Sequence, residues 1–177
     1  MKRPGALRGK VKALLDACDL HTPPVDVERV ARHLDLHVRE GEFDGEISGF
    51  LYQDGTRTVI GINRAHGAAR RRFTLAHEIG HYVLHNRETT FVDRGGPSIL
   101  KRDVRSSAGT DVREVEANAF AAELLMPAPF LARSLAEADE RADAEDLIRD
   151  LAQQYNVSVQ AMTIRLIRLG YLDAPAY

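Results

Sequence analysis

The residues best suited to chemistry stand in one short motif near the middle of the chain. It reads H-E-x-x-H, with His77, Glu78 and His81 as its defining residues. Residues four positions apart lie one turn apart on the same face of a helix, so both imidazoles can reach one metal ion. Glu78 stands beside them and suits a general base for an attacking water. The uncharged flanks, residues 74–76 and 82–84, are typical of a helix packed against a sheet rather than a surface helix with two accidental histidines.

Two histidines and a water leave one protein ligand to be found. The metzincin class is excluded, because Leu84 and Arg87 stand where its glycine and third histidine would be. His85 continues the row of histidines, but it lies two turns from His77, about 12 Å along the helix axis. We therefore expect His85 to be a partly exposed residue at the helix end, where its charge favours the helix dipole.

A second helix, predicted after residue 111, offers the missing ligand. Glu114 and Asn118 stand four positions apart on one face, as a ligand carboxylate and an amide that fixes a ligand histidine would. Glu116 points about 200° away from Glu114 at 3.6 residues per turn, so it is expected to face solvent and is the runner-up ligand. Three aspartates in loop context are weaker candidates: Asp93, Asp103 and Asp111.

Hydrophobic periodicity predicts the elements that must position these residues. Helices are predicted near residues 7–15, 27–34, 67–86, 111–125, after Pro127, and over 147–172, with Asp26 as the cap of the second helix. Short strands are predicted over 36–38, 47–52 and 58–62, the last two joined as a hairpin at Asp54-Gly55. Residues 88–109 are predicted as a loop and residues 137–145 as a charged linker.

Composition and charge narrow the class of protein. The chain has 177 residues, of which 44% are hydrophobic and 28% charged, as in ordinary folded domains. It has no apolar run of about 20 residues and no secretory signal, so a cytoplasmic protein with no membrane segment is expected. A net charge of −2 argues against a protein that coats nucleic acid. The single cysteine, Cys18, excludes an internal disulfide and a cysteine-based zinc site.

Two segments resemble the ImmA/IrrE family of metallopeptidases. They are Arg72-Phe-Thr-Leu-Ala-His-Glu-Ile-Gly-His81 and Glu114-x-Glu-Ala-Asn-x-Phe-Ala-Ala-Glu-Leu-Leu-Met-Pro127. The preceding Ile47-Ser-Gly49 and Ile60-Gly-Ile-Asn63 also look like strands of that family, and the resemblance covers residues 10–135.

This resemblance implies an intracellular, zinc-dependent, gluzincin-like endopeptidase of zincin fold. It implies His77, His81 and Glu114 as metal ligands and Glu78 as the base. It also implies a protein substrate, a helix-turn-helix transcriptional repressor whose cleavage relieves repression in a stress response or in the control of a mobile element.

The C-terminal segment, residues 151–170, has helix-turn-helix character, with Ser158 as the predicted cap of its second helix. Docking on DNA would direct Gln160, Thr163 and Arg165 toward the duplex. Basic residues are few here, so packing on the peptidase domain or docking of a substrate is favoured over DNA binding. The predicted buried positions are Leu151, Ala152 and Tyr155 on the first helix, and Ala161, Met162, Ile164, Leu166 and Leu169 on the second.

These observations predict an α+β zincin-like domain over residues 1–136, with a small antiparallel or mixed sheet beside the motif helix. A helical, helix-turn-helix-like lobe is predicted over residues 137–177. Zn²⁺ is the expected cofactor, and Mn²⁺ also suits such ligands. The rival hypotheses are a DNA-binding regulator and a protein that sequesters a repressor, each with a non-catalytic metal site.

The donor to the oxyanion is left open among His85, Tyr82 and Tyr155. Two basic spots, Arg70–Arg72 and Lys101-Arg102, are predicted as solvated surface or as receptors for an acidic partner segment.

Overall fold

The computed structural model of the chain describes residues 4–43, 47–54, 57–85, 98–99, 112–138 and 143–173. Within these ranges the chain forms seven helices and four strands, which confirms the α+β class. Most of the predicted loop over 88–109 lies outside the described residues. So do Asp93, Asp103 and Asp111, the spot at Lys101-Arg102, and Gly55 of the predicted turn.

The predicted helices and strands all form, and a further two-residue strand over residues 98–99 lies within the segment predicted as a loop. The helices are α1 Pro4–Ala17, α2 Val27–His33, α3 Ala68–His85, α4 Val112–Leu125, α5 Ala128–Ala136, α6 Ala144–Gln154 and α7 Val159–Leu169. The strands are β1 Leu36–Gly41, β2 Gly49–Asp54, β3 Arg57–Asn63 and β4 Ser98–Ile99.

The strands form one mixed sheet in the order β1-β3-β2-β4. β2 and β3 are antiparallel, with Leu51 opposite Ile60, which confirms the predicted hairpin pairing. β1 lies parallel to β3, and the short β4 pairs antiparallel with β2 at Tyr52 and Gln53. Leu51 and Ile60 are buried together with Ile79 of α3 in one hydrophobic cluster. The sheet therefore supports the helix that carries the H-E-x-x-H motif.

The other side of α3 packs against α4 at very short range. A Cβ atom added at Gly80 would lie 3.1 Å from the carbonyl oxygen of Ala117 and 3.1 Å from the ring of Phe120. Ala117 and Phe120 are fully buried in this contact. The missing side chain at Gly80 thus lets the two backbones approach, and this approach brings the residues of α4 to the motif.

Side-chain caps begin the helices where the sequence predicts them. The carboxylate of Asp26 accepts a hydrogen bond from Arg29 N at 2.8 Å, and the hydroxyl of Ser158 accepts one from Ala161 N at 3.1 Å. Pro127 stands at the N-cap of α5, as predicted.

The helical C-terminal pair differs from the prediction in two places, and a third observation contradicts the less favoured DNA-docking alternative. α6 begins at Ala144, inside the predicted linker. Ile164 is 44% exposed, although it was expected on the inner face of α7. Arg165 is only 7% exposed, although DNA docking required it to face a duplex. Leu151, Ala152 and Tyr155 are buried as predicted, as are Met162 and Leu166.

A buried ion pair joins α7 to the helices before it. Arg165 Nη2 donates to Glu123 Oε2, and Arg165 Nε donates to the carbonyl oxygen of Met126 at 3.0 Å. The predicted division of the chain between residues 136 and 137 stays a prediction. Within the described ranges, none of the helices combines the length and apolar character that crossing a bilayer requires.

Candidate metal centre

Three predicted ligands meet where α3 faces α4. Glu114 Oε2 lies 3.4 Å from His77 Nε2, and Glu114 Oε1 lies 3.1 Å from His81 Nε2. The two Nε2 atoms are 2.9 Å apart. One ligand atom from each side chain lies within 4.8 Å of the others, so all three can bind a single ion. We refer to His77, His81 and Glu114 as the His-His-Glu cluster.

The local structure explains why these side chains converge. The two histidines lie one turn apart on α3, and their ring centroids are 4.7 Å apart. Glu114 reaches them because Gly80 and Ala117 let α4 approach α3 closely. The His77 side chain is 6% exposed, whereas the His81 and Glu114 side chains are 18% and 16% exposed. The cluster is therefore buried on the His77 side and accessible to solvent on the side of His81 and Glu114.

Asn118 contacts the cluster as the spacing on α4 predicts. The His77 Nδ1–H donates a hydrogen bond to Asn118 Oδ1 at 2.8 Å. A proton on Nδ1 leaves the lone pair on Nε2 directed at the cluster, which is the tautomer that a metal ligand needs.

Glu78 lies next to the cluster but outside it. The residue is 3% exposed, and its Oε1 atom lies 3.8 Å from the position that a Cβ on Gly49 would occupy. That Cβ would also come within 2.4 Å of Thr74 and 2.8 Å of the carbonyl oxygen of Gly61. Glycine at the start of β2 therefore allows the sheet to lie directly against the carboxylate of Glu78.

Two expectations about burial near the cluster are wrong. His85 is 6% exposed rather than partly exposed, because it packs against α4 and its Nε2 lies 3.3 Å from the carbonyl oxygen of Arg113. Glu116 is 8% exposed rather than solvent-facing. Among the described residues, only the His-His-Glu cluster forms a group able to hold a metal, and it includes neither His85 nor the runner-up Glu116.

Tyr155, one of the three suggested oxyanion donors, directs its hydroxyl at α5. It lies 2.9 Å from Ser134 Oγ, and the residue is fully buried. This burial raises the pKa of Tyr155. The choice between His85 and Tyr82 stays open.

A cavity of about 510 Å³ lies among α3, α4 and α7, and Asn118 is part of its lining. No sequence pattern predicts this cavity. Its lining residues are far apart in the chain, so no pattern within one helix or strand could join them.

Residues 31–166 match the family model of the M78 peptidases, described as the IrrE N-terminal-like domain. The chain belongs to this family. This confirms the resemblance to ImmA/IrrE proteins that the two segments indicate.

Three relatives extend the match. The chain is 37% identical over 98 residues to the uncharacterized immunity region protein 2 of Bacillus phage phi105, covering 55% of this chain and 56% of that protein. It is 32% identical over 160 residues to the radiation response metalloprotease IrrE of Deinococcus radiodurans, covering 83% of this chain and 44% of that protein. It is 31% identical over 91 residues to the metallopeptidase ImmA of Bacillus subtilis, covering 51% of this chain and 48% of that protein. The chain thus spans about half the length of these relatives.

A solved structure shares the fold. A Mycobacterium tuberculosis transcriptional regulator superimposes with a TM-score of 0.61 at 16% identity, covering 92% of this chain and 46% of that one. At this identity the likeness concerns the fold alone.

Proposed function

We propose that this chain is a metal-dependent endopeptidase that hydrolyses a peptide bond in a helix-turn-helix transcriptional repressor. The observation that carries the proposal is the His-His-Glu cluster, together with the buried Glu78 that follows His77 on α3. Family membership supports the proposal, since two relatives are named metalloprotease and metallopeptidase. A third is named an immunity region protein, which agrees with a role in the control of a mobile element.

The ligand set fits Zn²⁺. Two imidazole nitrogens and one carboxylate oxygen leave the fourth position of a tetrahedral site open, as catalytic zinc sites do and structural ones do not. Such mixed ligands also accept Mn²⁺. When bound, the ion supplies Lewis acidity that polarises the scissile carbonyl and lowers the pKa of water in the site.

The side chains of this chain divide the remaining work. Glu78 takes a proton from the attacking water and later delivers it to the leaving amine. Asn118 holds His77 in the required tautomer through the bond at 2.8 Å. An extended substrate is expected to pass Gly49 at the start of β2, because Gly49 stands beside Glu78 and the pairing with β4 lies further along the strand, at Tyr52 and Gln53.

The DNA-binding alternative loses support in the C-terminal pair. Arg165 was one of three side chains expected to face a duplex, yet it is buried and bound to Glu123. The sequestering alternative makes a different prediction from the peptidase. If the chain acts by sequestration, Glu78→Gln should leave the release of the partner unchanged.

The test is co-incubation with the repressor-like protein encoded nearest to the gene of this chain, analysed by intact mass. Wild type, Glu78→Gln and the matched control Glu145→Gln, which alters an exposed glutamate of α6, are compared with EDTA, Zn²⁺ or Mn²⁺. We expect a metal-dependent cut by wild type and control, slowed about 10²–10⁴-fold in Glu78→Gln. Metal content, measured on all three proteins, should be equal.

The opposite result is also well defined. If wild type holds its metal and forms a complex with the repressor but cuts nothing, the peptidase proposal fails and sequestration replaces it. If Glu78→Gln with full metal content cuts as fast as wild type, Glu78 is not the base.

A further inference from the structure

An open cavity lies beside the metal centre. It has a volume of about 510 Å³ and lies among the first turns of α3, the middle of α4 and the exposed side of α7. We refer to it as the α7 groove. At one end it reaches the metal centre, because Asn118 lines it and also bonds His77, and because the lining ring of Phe73 lies 6.3 Å from the ring of His77.

The interior of the α7 groove is mainly apolar. Phe73, Ala122, Met126, Val157 and Ile164 contribute to its walls. Ile164 is 44% exposed there, so an apolar side chain entering the groove would remove apolar surface from water on both partners. The groove is therefore suited to an apolar side chain of a bound segment.

The charge around the α7 groove has one sign. Among the described residues that line it, three are arginines and none is Asp or Glu. The charge of Arg165 is balanced by Glu123, which leaves Arg70 and Arg168 exposed at the rim. Arg70 Nη2 donates to the neutral hydroxyl of Ser48 at 2.8 Å. This local positive charge contrasts with the net charge of −2 of the whole chain.

We propose that the α7 groove is a docking site for a segment of the protein substrate in which an apolar side chain is flanked by Asp or Glu. The inference rests on the proposed function, since it assigns α7 to substrate selection rather than to DNA recognition. Two rim arginines around an apolar interior match such a segment, whereas duplex DNA presents an array of phosphates and calls for more basic contacts.

The test measures binding without cleavage. The Glu78→Gln protein, loaded with Zn²⁺, is titrated into fluorescein-labelled peptides of about twelve residues that carry leucines separated by Glu, Gln or Lys, and anisotropy is recorded. We expect the Glu/Leu peptide to bind about tenfold more tightly than the Lys/Leu peptide. The preference should shrink at about 0.3 M NaCl, because the rim charges are exposed.

Variants assign the effect to the groove. Arg70→Glu/Arg168→Glu should weaken binding of the Glu/Leu peptide about tenfold and reverse the preference. Ile164→Asp should weaken binding of all three peptides. The matched control, Lys10→Glu/Arg57→Glu, makes the same change in net charge at exposed positions outside the groove and should keep the wild-type preference.

Any of three results would overturn the inference. The Glu/Leu and Lys/Leu peptides could bind equally well, or Arg70→Glu/Arg168→Glu could keep the wild-type preference. The third result is an equal loss of affinity in the control variant. Tighter, Arg70- and Arg168-dependent binding of a duplex of about 20 base pairs would replace it with a nucleic-acid site.

The groove and the proposed function can fail separately. Repressor cleavage with an unchanged KM in Arg70→Glu/Arg168→Glu would refute the groove and leave the peptidase. Groove-dependent peptide binding by a chain that cuts no repressor would refute the peptidase and leave the groove.

Discussion

Removal of one partner from the ion pair between Arg165 and Glu123 should destabilise the fold strongly. The two side chains are 8% and 6% exposed, so removal of one partner leaves a charge buried in a medium of low dielectric constant. Arg165 also donates to the carbonyl oxygen of Met126, and Glu123 accepts from Ala128 N at 3.3 Å. One pair of side chains thus connects α7 to the junction between α4 and α5.

The expected cost of Arg165→Met follows from these contacts. Breaking a buried pair by removing one partner costs about 3–5 kcal/mol. Arg8 offsets part of this loss, because its Nε lies 3.6 Å from Glu123 Oε2, although its side chain is 52% exposed. We therefore expect the free energy of unfolding to fall by about 3 kcal/mol. Arg165→Met/Glu123→Leu should lose less than the single variant, since no charge is left buried.

Urea unfolding followed by far-UV circular dichroism measures these changes, since the chain has no tryptophan for fluorescence. The matched control is Arg149→Met, which removes a 63% exposed arginine paired with Asp146 and should cost at most about 0.5 kcal/mol. The reasoning is refuted if Arg165→Met costs no more than this control. It is also refuted if the losses of Arg165→Met and Glu123→Leu simply add in the double variant.

Three further predictions concern the metal centre and the core. Asn118→Ala should weaken Zn²⁺ affinity about 10–100-fold in a competition assay with a chelator, and unchanged affinity would show that the bond to the histidine does not orient it. Gly80→Ala should gain about 1 kcal/mol from helix propensity. It also places a Cβ 3.1 Å from the carbonyl oxygen of Ala117, and this crowding costs about 1–3 kcal/mol. Urea unfolding should therefore show a lower free energy of unfolding rather than a higher one. Burial raises the pKa of Tyr155, so the folded chain keeps its phenol proton above about pH 10 where the unfolded chain releases it, and stability falls as pH rises through that range. Tyr155→Phe should lower the free energy of unfolding by about 1 kcal/mol at neutral pH, because the hydrogen bond to Ser134 is lost. Between neutral pH and about pH 10.5, however, the variant should lose less stability than wild type, because it has no phenol to titrate.

Local sequence patterns were sufficient for the helices, for the first three strands and for the pairs of site residues that share one helix. The caps at Asp26 and Ser158 and the hairpin pairing of β2 with β3 follow from short-range rules, because a cap or a two-stranded pairing involves residues close in the chain. The pairing of His77 with His81 follows from the helical repeat in the same way. The spacing on α4 likewise put Glu114 and Asn118 on one face.

Tertiary structure decided which of these faces meet and what surrounds them. Helical periodicity alone suggested that Glu116 faces solvent and that His85 is partly exposed, but the close contact between α3 and α4 buries both. Arg165 is a further example. A charged side chain is typical of a surface position, but Arg165 is buried because Glu123, 42 residues earlier in the chain, supplies a buried partner. Burial and partners at such positions depend on contacts between segments far apart in the chain, and hydrophobic periodicity within one helix contains no information about them.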